Sequence, residues 1–142
     1  MALTPAQTEF VREARVARLA TVDAENRPHV VPVCFVYEAD AVYSVLDAKP
    51  KRVPAERLQR VRNIRANPNV QLLIDRYEEG WTRLAYVQLR GVASILLSGS
   101  EHASAIELLR AKYQQYASMP IDAQPVIKIA VEGVVAWDAG IA

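Results

Sequence analysis

The order of the β-rich runs in this chain rules out most architectures before any single residue is weighed. VARLATV (16–22) and HVVPVCFVY (29–37) flank AENRP, with Asn26 at the tip of the turn and Pro28 at the start of the second run. That pattern predicts a β-hairpin. Further runs at 41–46, 70–77, 81–97 and 126–137 bring the expected strands to six. Three helices are predicted between them, over 5–14, 54–65 and 100–117, but never in the βαβ rhythm that a parallel sheet needs. The expected fold is therefore a mostly β, six-stranded antiparallel barrel with helices capping it, as one domain over 1–142.

Local signals sharpen this outline. Thr4-Pro5-Ala6-Gln7 has the form of a capping box with proline at the first helical position. In the second helix Leu58, Val61 and Ile64 recur on one side, and in the third Ile106, Leu109, Tyr113 and Tyr116 do the same. Ser98-Gly99-Ser100-Glu101 reads as a second cap, Glu38-Ala39-Asp40 and Glu78-Glu79-Gly80 as turns, and Gly91 as a bend or bulge in a long strand. Pro32 lies within the second strand and has no N–H, so that strand is expected at an edge, at a bulge, or where a ligand replaces the neighbour.

Charge is unevenly spread. The stretch 49–65, KPKRVPAERLQRVRNIR, holds seven of the seventeen Lys and Arg residues against the single acid Glu56, in a chain whose net charge is only +1. It leaves a strand and enters a helix, where backbone N–H groups and cations converge on phosphate. A solvated helix face and a nucleic-acid contact are the competing readings; the stretch has no aromatic residue and the rest of the chain is acidic, which argues against nucleic acid.

No apolar run approaches the roughly 18 residues of a membrane span. MALTPAQTEF lacks the segments of a signal peptide, so a cytoplasmic location is expected. The single Cys34 suits a reducing compartment and reads as a small core residue.

Catalytic side chains are scarce. His29 and His102 are the only histidines, neither at metal-ligand spacing, and no nucleophile elbow, dinucleotide fingerprint or Walker pattern occurs. An enzyme of this composition would borrow its reacting group and supply binding and orientation. Trp81 reads as core, dimer interface or a lid on a planar ring, and Trp137 has no stronger claim to a ligand.

Four ordered segments, ARLATVDAENRPHVVPVCF, AVYSVLDAKPKR, RVRNIRANPNVQLLID and GWTRLAYVQLRGVA, together resemble the pyridoxamine 5′-phosphate oxidase-like split-barrel superfamily. More narrowly they resemble its F420-dependent branch, the class B flavin/deazaflavin oxidoreductases. The resemblance implies an FMN-binding type of split barrel and a homodimer with cofactor sites at the subunit interface. It implies a ring lying along the second strand near Pro32 and Val33, and phosphate held by Lys49, Lys51, Arg52, Arg60 and Asn63, with Trp81 reaching across the interface. VPAERLQ is longer than the corresponding segment of many relatives.

The function expected on these grounds is hydride transfer between reduced coenzyme F420 and a small conjugated acceptor, with no catalytic side chain and no metal. A carrier of F420 or flavin, and an FMN-dependent oxidase of the pyridoxamine-phosphate type, are the alternatives. The surplus of cations suits the several negative charges of an F420 tail better than one FMN phosphate.

Overall fold

The computed structural model describes residues 3–46 and 54–139. Helix α1 (Pro5–Glu13) begins with the expected box: Thr4 Oγ1 accepts from the Gln7 N–H at 3.2 Å, and the Thr4 N–H donates to Gln7 Oε1 at 2.9 Å. The strands are β1 (Ala17–Val22), β2 (Pro28–Val33), β3 (Val36–Glu38), β4 (Ala41–Val45), β5 (Asn69–Arg76), β6 (Ala85–Leu96) and β7 (Val126–Asp138). Helix α2 (Gln59–Ala66) precedes β5, and α3 (Ser100–Lys112) precedes β7. All the strands join one antiparallel sheet in the order β2-β1-β5-β6-β7-β4-β3.

The strand count is seven rather than six because the second run breaks at Cys34 and Phe35. Its halves, β2 and β3, become opposite edges of the sheet. Only three Cα–Cα steps join Val33 to Val36, so the two edges come within about 11 Å there and the sheet must curl on itself. A barrel with a split between β2 and β3 is the result. Pro32 thus falls on an edge strand, where a missing donor costs little.

Side chains fasten the backbone where it crosses the split. The Tyr113 hydroxyl accepts from the Phe35 N–H at 3.0 Å and lies 3.1 Å from the Phe35 carbonyl and 2.9 Å from that of Arg15. Lys112 Nζ donates to the Phe35 carbonyl at 2.9 Å and sits 4.0 Å from the centre of the Phe35 ring. Ser44 Oγ donates to the Cys34 carbonyl at 2.7 Å. Burial, reinforced by the nearby Arg15 charge, lowers the Lys112 amine to about 8.

The core has two parts. Leu19, Phe35, Leu72, Ile74 and Leu89 fill the barrel, while Ile106, Leu109, Tyr113 and Tyr116 pack against Tyr43, Val45 and Val126 on its flank. Strand β4 is buried at all five positions, consistent with its AVYSV run. The β6–β7 register shifts between Arg90 and Gly91, but the extra residue is Glu132 on β7, so the bulge expected at Gly91 falls on the facing strand. A Cβ at Gly91 would run into the Ala130 carbonyl.

Several predicted boundaries move. The helix expected over 54–65 is a 3₁₀ turn (Ala55–Arg57), an extended Leu58 (φ −63°, ψ 139°) and then α2. The strand expected from Trp81 starts at Ala85, after a 3₁₀ turn at Trp81–Arg83. Helix α3 stops at Lys112, and a 3₁₀ turn (Gln114–Ala117) follows the extended Tyr113. No serine caps α3; Gly99, at φ 103°, takes the N-cap position without a side-chain bond.

Replacing Tyr113 by Phe strands the Phe35 N–H and is expected to cost about 2 kcal/mol in urea unfolding at unchanged m-value. A loss below about 0.5 kcal/mol would contradict the fastening described above. Lys112 yields a pH signature. Its amine is charged in both states below pH 8, and between about 8 and its ordinary 10.5 the unfolded chain binds more protons than the folded one. Its contribution to stability therefore rises with pH across that window, and the wild-type minus Lys112→Met difference curve is expected to climb there. A flat difference curve refutes the assignment.

Candidate functional site

The candidate site is built where α2 docks on the β1–β2 hairpin. The turn of that hairpin is set by Asp23, whose Oδ1 accepts from the backbone N–H groups of Glu25 (2.8 Å) and Arg27 (2.9 Å). These bonds, the Arg27 backbone N–H foremost, hold the Asp23 carboxyl below its usual range. Asn26 adopts the left-handed conformation at the tip, φ 63°.

Asn63, 2% exposed, pins the helix to the hairpin: its Nδ2 donates to Thr21 Oγ1 at 2.9 Å, and its Oδ1 accepts from Gln59 Nε2 at 2.6 Å. Thr21 is the cross-strand neighbour of His29. The Nδ1 of His29 is buried with no hydrogen-bond partner among the described residues. His29 is partly buried beside Thr21, and no spacing in the sequence marks it for a binding role.

The predicted residues fall into three groups. Arg60 and Asn63 share α2, with Arg60 half-buried. Pro32 and Val33 lie at the far end of β2, about 10 Å from His29 by strand rise. The Pro32 side chain faces solvent and that of Val33 is buried. Trp81 is separate: it is 67% exposed, in the 3₁₀ turn before β6, with its Nε1 donating to the Tyr77 hydroxyl at 3.3 Å. A core role for it is thereby excluded. Lys49, Lys51 and Arg52 lie outside the described residues.

The cationic surplus shrinks on folding. Arg65 Nη2 meets Glu56 Oε1 at 2.6 Å, across the bend at Leu58, and this hydrogen bond lowers the Glu56 carboxyl and raises the Arg65 guanidinium. Arg57 and Arg62 are exposed and form no ion pair with another described residue. A patch able to hold an anion thus borders an edge strand able to offer backbone groups. Among the described residues no cluster of His, Cys, Asp and Glu has the makings of a metal site.

The outer face of the sheet carries an apolar patch. Val135 and Trp137 (each 47% exposed) lie on it, Trp137 stacks on Tyr86 with ring centres 6.0 Å apart, and Val30 (59%) is exposed four strands away on β2. Arg18, paired with Pro32 across the strands, meets Asp75 at 3.3 Å on the same face.

Comparison with known proteins bears on fold and family. A family model described as pyridoxamine 5′-phosphate oxidase matches residues 3–138. No curated protein matches the chain in sequence. Among solved structures, a conserved hypothetical protein, Rv2991, from Mycobacterium tuberculosis superposes with a TM-score of 0.78 at 17% identity, over 98% of this chain and 87% of that one. The heme storage protein HutZ from Vibrio cholerae gives 0.71 at 22% identity, over 95% and 94%. A protein described as an F420 reductase gives 0.70 at 18%, over 94% and 98%. At these identities the likeness is one of fold.

The Asn63–Thr21 bond generates a double-mutant test. Asn63→Leu alone is expected to destabilise by about 2 kcal/mol, and the cycle with Thr21→Val to show a coupling near 1 kcal/mol in urea unfolding. Additive losses would mean that the bond does not hold α2 in place.

Proposed function

Because this chain belongs to the pyridoxamine 5′-phosphate oxidase family across residues 3–138, we propose that it is an F420-dependent oxidoreductase acting on a small conjugated acceptor. The observation that carries the reading is the docking of the cation-bearing helix α2 against the hairpin whose edge strand holds Pro32. It brings the cation-bearing helix next to the hairpin end of that edge strand.

The residues fit an anionic, ring-bearing cofactor on their own chemistry. Arg57, Arg60 and Arg62, with Lys49, Lys51 and Arg52 beyond the described residues, bind the phosphate and carboxylates of its tail. Asn63 fixes the angle of α2 and so the direction of those guanidinium groups. The unpartnered His29 Nδ1 is positioned to meet a polar group of the ligand. The Pro32–Val33 backbone aligns the ring, and the buried side of the barrel keeps water from one of its faces. When bound, reduced F420 supplies the hydride, and the chain orients rather than reacts.

The apolar outer face, with Val30, Val135 and Trp137 exposed, joins two copies in a homodimer with a cofactor site at each end of the interface. In that arrangement Trp81 contributes from the partner copy. The chain acts on neither nucleic acid nor membrane, and its location is the cytoplasm.

One observation favours FMN: the Glu56–Arg65 pair removes a cation from the surplus that suits a polyanionic tail. Titrating F420 and FMN on the same preparation separates the two. F420 is expected to bind more tightly, and Lys51→Ala and Arg60→Ala each to weaken it about tenfold or more. Tighter FMN binding, or unchanged affinity in both variants, rejects the F420 reading. Tight F420 binding with no turnover across quinones, enones and nitroaromatics makes the protein a carrier.

A further inference from the structure

Residues 54–66 carry four guanidinium groups, those of Arg57, Arg60, Arg62 and Arg65, and a single acid, Glu56. That acid engages one of them. Arg65 Nη2 donates to Glu56 Oε1 at 2.6 Å and Arg65 Nε donates to Glu56 Oε2 at 3.4 Å, so the pair closes as a fork. A two-pronged contact is how a guanidinium recognises a carboxylate. Glu56 therefore marks a spot on α2 that is shaped for one.

The path of the chain, not helix spacing, makes this contact. Glu56 lies in the 3₁₀ turn Ala55–Arg57, and Arg65 in the last turn of α2. Nine residues of unbroken α-helix would hold the two roughly 13.5 Å apart along the axis, and the extended Leu58 is what brings them together. Both side chains stay half exposed, 54% for Glu56 and 48% for Arg65. An anion from solution can therefore reach the fork. Arg62, one turn before Arg65, and Arg57, beside Glu56 in the chain, are exposed and form no ion pair with another described residue.

An ion pair as exposed as this one is held weakly. Closed roughly five times as often as open, it lowers the apparent affinity of an incoming carboxylate about fivefold. A ligand with one anionic group gains little by displacing Glu56, because one carboxylate is exchanged for another. A ligand with several gains more, since its remaining groups meet Arg57 and Arg62 at the same time.

We infer that Arg65 is a carboxylate subsite which Glu56 occupies in the unliganded chain, and that a ligand bearing several carboxylates displaces Glu56 where a singly charged one does not. The subsite stands on the ion pair alone; that its occupant is the tail of F420 rests on the proposed function. Glu56 is then a specificity device, set against ligands with too few negative charges.

The test uses the full-length protein and two probes of one length: tri-γ-glutamate, rich in carboxylates, and the same peptide fully amidated, which has none. Binding is followed by NMR, with the Arg65 Nε–H signal as the local reporter. Tri-γ-glutamate is expected to move that signal saturably and the amidated peptide to leave it unmoved. Glu56→Gln is expected to tighten tri-γ-glutamate about fivefold, but the same change made on top of Arg65→Ala to give less than about twofold. Both positions are half exposed and their pair contributes little to stability, so the variants fold. An equal gain in both backgrounds makes Glu56 a general charge and overturns the inference, as do no gain, an unmoved Arg65 signal, or equal binding of the two peptides. If F420 binds but is indifferent to Glu56→Gln, only this inference fails; if tri-γ-glutamate behaves as expected while F420 does not bind, only the cofactor reading does.

Discussion

The Phe35 peptide is the point on which the fold closes. A sheet whose first and last strands are consecutive in sequence has one crossing to stabilise, and a crossing has no ladder partner on either side. Here its N–H and carbonyl are taken up by Tyr113 and Lys112 from the end of α3, and the Cys34 carbonyl by Ser44. An unsatisfied buried peptide costs on the order of 1–3 kcal/mol, so these side chains decide whether the barrel can curl at all. Lys112 reaches there with its amine partly desolvated, which the drop to about 8 records. The consequence for function is geometric: β2 is left with an unpaired outer edge held at a defined angle.

Electrostatics at α2 are shaped by a bend rather than by a count of charges. The extended Leu58 lets Glu56 fold back onto Arg65, nine residues later, and leaves Arg57 and Arg62 directed into solvent. Exposed ion pairs of this kind contribute little to stability. Their effect is to choose which guanidinium groups remain available to an anion. Asn63 acts in the same way through position: buried and bonded to Thr21, it sets where the helix sits on the hairpin.

Much of this was legible in the sequence. Period-two alternation and turn chemistry marked the strands, the Thr4–Gln7 box was read directly, Gly91 marked the level of a bulge that lies on the facing strand, and Pro32 pointed to an edge. The split was not, because VCFVY is an unbroken apolar run with no glycine or proline to mark the break at Cys34–Phe35. Leu58 and Tyr113 interrupt helices for tertiary reasons, and neither residue type breaks helices locally. The Glu56–Arg65 pair spans a bend that sequence spacing cannot show. A cavity lined by α1 and the end of β5 brings together Phe10 and Asp75, 65 positions apart, and such a meeting carries no local signature.

The charges on this molecule are also directional. The exposed Arg57 and Arg62 stand near the α2 end of β2, while the α1 end mixes the carboxylates of Glu9, Glu13 and Asp75 with the guanidinium groups of Arg15 and Arg76. One unit charge acting on another about 10 Å away in water amounts to roughly 0.4 kcal/mol, so no single residue here dictates an orientation. Acids and cations nearly cancel at the α1 end, so the net sign comes from the cations near α2. For an elongated ligand with an anionic tail and an uncharged ring, lying along β2, the reversed orientation trades the α2 guanidinium groups for an end where acids and cations offset one another. A difference in net charge between the two ends of one strand is enough to favour one orientation of an anionic ligand without any reacting side chain.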